Sequence, residues 1–139
     1  MASQATFQAT VHWTGGLNFD CAMASGETLH LNGSGEGLSP MQATLMSIGA
    51  CSSVDVVEIL KKAKQDIQDC RCELSARRAD DYPRIFETIH AEYIVTGTNI
   101  NEKHLARAVE LSTQKYCSVM LMLGSQVHVT TSYRIEMCE

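Results

Sequence analysis

The chain has 139 residues, 45% apolar and 19% charged, a globular composition that excludes an intrinsically disordered chain. Lys and Arg number 11 against 16 Asp and Glu, giving a net charge of −5 with no basic cluster, and aromatic side chains are few; a nucleic-acid partner is excluded on both counts. A chain of this size hides roughly 70% of its unfolded surface, so a single domain, 1–139, with its own core is expected.

Thr6, Gln8, Thr10 and His12 alternate with Phe7, Ala9, Val11 and Trp13, the period-two pattern of a strand. Thr14-Gly15-Gly16 marks a turn, and Leu17 to Ala24 reads as the returning strand. Ser25-Gly26-Glu27 is a second turn, with a third strand near Thr28 to Leu31. The glycine-rich segment from Asn32 to Gly37 reads as a mobile loop, since it lacks the Lys-Ser/Thr ending of a phosphate-binding loop. Ser39 is a preferred N-cap and Pro40 suits a first helical position, which predicts a helix from Pro40 to Lys64. Its first half has no charge on any face, so burial on all sides is expected, and Gly49-Ala50-Cys51-Ser52-Ser53 allows close approach of another backbone.

Asp66 to Arg78 and Phe86 to Thr96 read as paired strands, the latter with Ile89, Ala91, Tyr93 and Val95 on one face. Asn101 is the expected N-cap of a second helix carrying Leu105, Ala108, Val109 and Ser112. Lys115-Tyr116-Cys117-Ser118 interrupts that pattern before a further helical turn or two, Val119 to Leu123, capped by Gly124. Alternation from Val127 to Ile135 gives a last strand. The order is βββ-α-ββ-αα-β, an α+β fold.

Met1 to Thr6 has neither the basic nor the apolar region of a secretory signal. The uncharged stretch Gly37 to Val54 reads as too short and too rich in Ser and Thr to span a membrane. A cytoplasmic protein is expected, in which the cysteines at 21, 51, 70, 72, 117 and 138 are mostly free thiols. Cys70-Arg71-Cys72 puts two thiols on one strand face without zinc-site spacing, and His12, His30, His90, His104 and His128 show no ligand spacing, so no metal is expected. Cys51, inside the uncharged helix, reads either as a small core hydrophobe or as a redox thiol. Cys117 reads as a packed residue or as a thiol activated by the free N–H groups of the short helix it opens. Asp55 and Glu58 follow Cys51 by about one and two turns and are explained by helix solvation.

Ser39-Pro40-Met41-Gln42 through Gly49-Ala50-Cys51-Ser52, with Lys115-Tyr116-Cys117-Ser118 downstream, resembles the OsmC/Ohr family, the osmotically inducible protein C and organic hydroperoxide resistance proteins. The resemblance spans essentially the whole chain and implies an intertwined homodimer with sheets wrapped around two long central helices. It also implies thiol-based reduction of small hydroperoxides, with no cofactor beyond an external dithiol reductant. Cys51 would be the peroxidatic residue, oxidised to a sulfenic acid, and Cys117 the resolving residue that closes the disulfide. A buried Cys51 needs a positive partner to hold its thiolate. In the peroxidase branch that partner is an Arg after the first hairpin's Gly-Gly, held by a Glu after the helix-opening Pro. Here Leu17 and Met41 occupy those positions, and Ser118 replaces a Pro that often follows the second Cys. Either one of Arg77, Arg78, Arg84 and Arg134 substitutes, or the chain is a divergent, non-enzymatic, redox-sensing or ligand-binding member of the fold.

Overall fold

A computed structural model describes residues 6–138; residues 1–5, most of the segment read above for an export signal, lie outside them. The chain divides after Thr44 into two units. In the first, β1 (Ala9–Gly15), β2 (Asn18–Met23) and β3 (Thr28–Asn32) form an antiparallel meander in that order. The register pairs Val11 with Cys21 and Cys21 with Leu29, and, one residue on, His12 with Asp20 and Asp20 with His30. Side-chain alternation therefore gives one apolar and one polar face. The β1–β2 turn uses Gly15 and Gly16 at φ +117° and +57°, where other residues are strained. The glycine-rich loop after β3, expected to be mobile, is pinned at its start by Asn32. That side chain is buried, its Nδ2 donates to Asn18 Oδ1 (2.7 Å), and its Oδ1 accepts from the Ser34 N–H (2.8 Å).

Helix α1 runs Pro40–Lys62. The Gln42 N–H donates to Ser39 Oγ (3.0 Å) and the Ser39 N–H to Gln42 Oε1 (2.9 Å), a reciprocal cap that satisfies two otherwise orphaned donors. The helix stops two residues short of the expected Lys64, which lies at φ +63°. Lys61 and Lys62 sit in its last turn, where cations favour the dipole.

In the second unit β4 (Asp66–Arg78) pairs antiparallel with β5 (Phe86–Thr98), and β5 pairs parallel with β6 (His128–Met137). A parallel neighbour needs a crossover, supplied by α2 (Glu102–Leu111), a π-helical turn (Ser112–Tyr116) and α3 (Ser118–Met122). The break expected at Lys115–Ser118 is thus a π turn running directly out of α2. The Leu123 residue, not Gly124, caps α3. Val56 and Leu60 of α1 join Ala91, Tyr93 and Val95 of β5 and Leu105 of α2 in the core.

One side of α1, Ile48, Ser52, Val56 and Leu60, is wholly buried, while Met46 (60%) and Val54 (56%) stay exposed with Ala50 between them. Within one chain the helix is covered from one direction only, by a single sheet. By length and composition alone α1 could cross a bilayer (mean hydropathy 1.5), against the expectation from the Gly37–Val54 stretch. The Leu74 side chain of β4 lies against its backbone at Gly49, where an added Cβ would lie 2.6 Å from Leu74 Cδ1.

Candidate functional site: two thiols and a buried hydroxyl network

Cys51 lies midway along α1, half-buried, and Cys117 is fully buried at the N-cap of α3. The π turn places Cys117: its N–H donates to Ser112 O (2.7 Å), and the Ser112 hydroxyl donates to Ser52 O (2.7 Å), the residue after Cys51. The two thiols are consequently close enough that a charge on Cys51 would act on Cys117. Ser112 Oγ also lies 3.3 Å from Asp55 Oδ2, so Asp55 does more than solvate the helix.

The electrostatics of Cys117 differ from the expectation of a helix-activated thiol. Burial pushes its pKa up, and a negative charge on Cys51 would push it further. The Met120 N–H, which donates to Sγ at 3.4 Å, and the Val119 N–H act in the opposite direction. Desolvation outweighs those donors because the residue has no solvent contact. No cation is among these influences. Arg134 pairs with Glu136 (3.6 Å), Arg78 donates to Arg84 O (2.9 Å), and Arg84 to Ala79 O (3.2 Å). Arg77 lies beside Thr88 across the strand pair, on the β4 face opposite Cys72 and Leu74. Among the described residues none of the four is hydrogen-bonded or ion-paired to Cys51 or Cys117. Leu17 and Met41, in the positions of the family's Arg and Glu, are apolar.

Three further residues complete the site. Tyr93 of β5, fully buried, donates through its phenol to Ser52 Oγ (2.7 Å), and Ser52 Oγ donates to Ile48 O (2.8 Å). Cys72 stands opposite Tyr93 in the β4–β5 register, so the two side chains share a face of the sheet. Burial pushes the Cys72 thiol up to about 11, the neighbouring Cys70 adding to the shift and the Ser53 and Tyr93 side chains opposing it. Burial likewise holds the Tyr93 phenol well above its ordinary value, and charge on Cys72 or Cys117 would raise it further. Cys72 also lines a cavity of about 300 Å³ with Ser53, Met46 and Ala50. Cys21 and Cys138 stand apart, the first on β2 and the second donating to Gln68 Oε1 (2.9 Å). Among the described residues no cluster of three or more His, Cys, Asp or Glu is arranged to hold a metal. Sequence reasoning missed Tyr93 and Ser52 as site residues. The available signal was a phenol on the apolar face of a strand, whose O–H needs a buried partner.

The profile of the OsmC-like protein family matches residues 33–132. Protein YhfA of Escherichia coli (strain K12) is 44% identical over 130 residues, covering 92% of this chain and 97% of that protein. A solved protein from Aquifex aeolicus VF5 is 32% identical with a TM-score of 0.89, covering 98% of this chain and all of its own. At 18% identity, likeness of fold alone extends to an organic hydroperoxide resistance protein OsmC from Legionella pneumophila (TM-score 0.73, 96% of this chain and 99% of that one). The central helix with Cys51, the crossover with Cys117 and the two three-stranded sheets are thus those of a known fold, and the chain belongs to the OsmC-like protein family.

Proposed function

We propose that this protein is a thiol-dependent hydroperoxide reductase, a single domain that works in the cytoplasm as a homodimer, with Cys51 peroxidatic and Cys117 resolving. The observation that carries the reading is the Ser112–Ser52 hydrogen bond, which ties the turn before Cys117 to the residue after Cys51 and brings thiols from two helices near each other. The Cys51 thiolate attacks the terminal oxygen of the hydroperoxide. The S–O bond forms, the O–O bond breaks, and the leaving oxygen takes a proton to become an alcohol. Cys117 sulfur then attacks the sulfenic sulfur, forming the S–S bond and releasing water, and an external dithiol reopens the disulfide by exchange. The name of the Legionella fold relative supports the same substrate class.

The homodimer is supported by the exposed Met46, Ala50 and Val54 stripe. It carries no charge, and its small residues let a second copy of the same helix approach closely. The apolar Leu17 and Met41 favour a second reading, a redox-responsive or ligand-binding homodimer with slow turnover. Consumption of an alkyl hydroperoxide and of hydrogen peroxide with a dithiol, compared between wild type and Cys51→Ser, tests the first reading. Sustained turnover lost in the variant supports it; a single stoichiometric oxidation without turnover favours the second.

A further inference from the structure

The face of the second sheet turned away from Tyr93 and the core carries its charges unevenly. Opposed residues form cross-strand rows on it: Arg77, Thr88 and His128; then Ser75, His90 and Thr130; then Glu73, Glu92 and Ser132; then Arg71, Ile94 and Arg134. At the Arg71 end the cations are paired, Arg71 with Glu73 and Glu136 (both 3.3 Å) and Arg134 with Glu136 (3.6 Å). At the other end, among the described residues, the side chains of Arg77, His128, Ser75 and Thr88 have no hydrogen bond or ion pair. Arg77, Ser75, Thr88, His90 and Thr130 line one cavity of about 250 Å³. The His90 ring is fixed in its wall: Nε2 lies 2.9 Å from Ser132 Oγ and Nδ1 lies 2.7 Å from Thr130 Oγ1. Ser132 gives its own proton to Glu92 Oε2 (3.5 Å), so it accepts from the Nε2–H, and Nδ1 of the neutral ring accepts from the Thr130 hydroxyl.

We propose that this end of the sheet binds a small tetrahedral oxyanion, phosphate or the phosphate group of a monoester, between Arg77 and the hydroxyls of Ser75, Thr88 and Thr130. The Arg77 guanidinium supplies the charge and a fork of N–H donors. Hydroxyls from three strands reach the remaining oxygens, an arrangement that suits a tetrahedral anion better than a planar carboxylate with two. His128, beside Thr88, adds a donor at the rim. Glu73 and Glu92 lie one row, about 7 Å, beyond Ser75 and His90, so the anion sits on the Arg77 side of them. To reach the anion, Thr130 must turn its proton away from His90 Nδ1. The ring then takes a proton from solvent at Nδ1 and donates it to Thr130 Oγ1. The pair keeps its bond, and the charge gained on the ring is balanced through Ser132 by Glu92. Binding is therefore coupled to proton uptake. The inference stands apart from the thiols and from the reductase reading.

The test is calorimetric titration of the full-length protein, at constant ionic strength, with sulfate, inorganic phosphate and phenyl phosphate. Saturable binding of sulfate and phosphate is expected, weakened roughly tenfold or more in Arg77→Gln. Arg77→Lys should lose less, since it keeps the charge without the fork. Arg107→Gln, which removes an exposed arginine of α2 that also lacks a partner among the described residues, should bind as wild type does. Phenyl phosphate binding more tightly than phosphate assigns the site to a monoester; equal affinity assigns it to the free anion. Sulfate carries no proton at neutral pH, so its titration in buffers of different ionisation enthalpy reads the protein's own proton uptake. Uptake is expected in wild type and not in His90→Gln. Heats that do not saturate, or equal losses in Arg77→Gln and Arg107→Gln, would mark a diffuse ion atmosphere and overturn the proposal. Saturable binding without proton uptake would remove Thr130 and His90 from the site and overturn their part in it.

Discussion

The hydroxyl of Ser112 donates a 2.7 Å hydrogen bond to the backbone carbonyl of Ser52, tying the π turn before Cys117 to the residue after Cys51. A mid-helix carbonyl is already an acceptor within its own helix, so this second bond is a tertiary contact, and its donor has no access to water. It accounts for the meeting of two thiols from elements far apart in sequence.

Ser112→Ala leaves a small void in place of that donor and removes the contact with Asp55. The expected cost is about 1–3 kcal/mol of folding stability. Disulfide formation between Cys51 and Cys117 after oxidation should slow as well, because the turn is no longer fixed against α1. Urea unfolding and the rate of disulfide closure check the two effects; a variant unchanged in both contradicts the tie.

At Gly97, where β5 ends, an added Cβ would sit 2.3 Å from the Asp66 carbonyl oxygen and 2.7 Å from Ile100 Cδ1. A backbone oxygen cannot move aside as a side chain can. Gly97→Ala should therefore destabilise the protein by about 1–3 kcal/mol, read as a lower Tm in a thermal melt. An unchanged Tm would mean that the strand end yields freely.

The raised pKa of Cys72 sets an alkaline limit. The folded protein holds this proton until about pH 11, whereas the unfolded thiol gives it up near 9.0, so unfolding releases a proton between the two. The stabilisation is complete below pH 9 and is lost as pH rises towards 11. Wild type should lose more stability than Cys72→Ala between pH 8 and pH 10.5, each measured by its urea midpoint. Equal losses would show that Cys72 ionises as freely in the fold as outside it.

The homodimer makes its own prediction. Val54→Asp puts a charge into the exposed stripe of α1. Sedimentation equilibrium should give twice the 15.3 kDa chain mass for wild type and a shift towards the single-chain mass for the variant. A wild-type monomer at micromolar concentration contradicts the arrangement.

Much of this was legible in the sequence because local rules agreed. Ser39-Pro40 announced the start of α1, and the inward alternation of Ile89, Ala91, Tyr93 and Val95 announced the central strand. The Ser39–Gln42 reciprocal cap was also written there as S-x-x-Q but went unread. The π turn was not legible, since Ser112 to Tyr116 carries no Gly or Pro and the extra residue per turn is fixed by the Ser112 and Cys117 bonds. Which of the two readings of Cys117 applies was not legible for a related reason. Position at a helix start predicts a lower pKa, but the degree of burial that reverses it depends on elements distant in sequence. Parallel pairing of β5 with β6 likewise follows from the path of the crossover, which local periodicity does not encode.

The most direct test of the central claim is to treat the fully reduced protein with one equivalent of an alkyl hydroperoxide and map the products by peptide mass. One alcohol per chain and one disulfide joining Cys51 to Cys117, both absent in Cys51→Ser, is the predicted result. Unconsumed hydroperoxide, or a disulfide that omits Cys51 or Cys117, would contradict it.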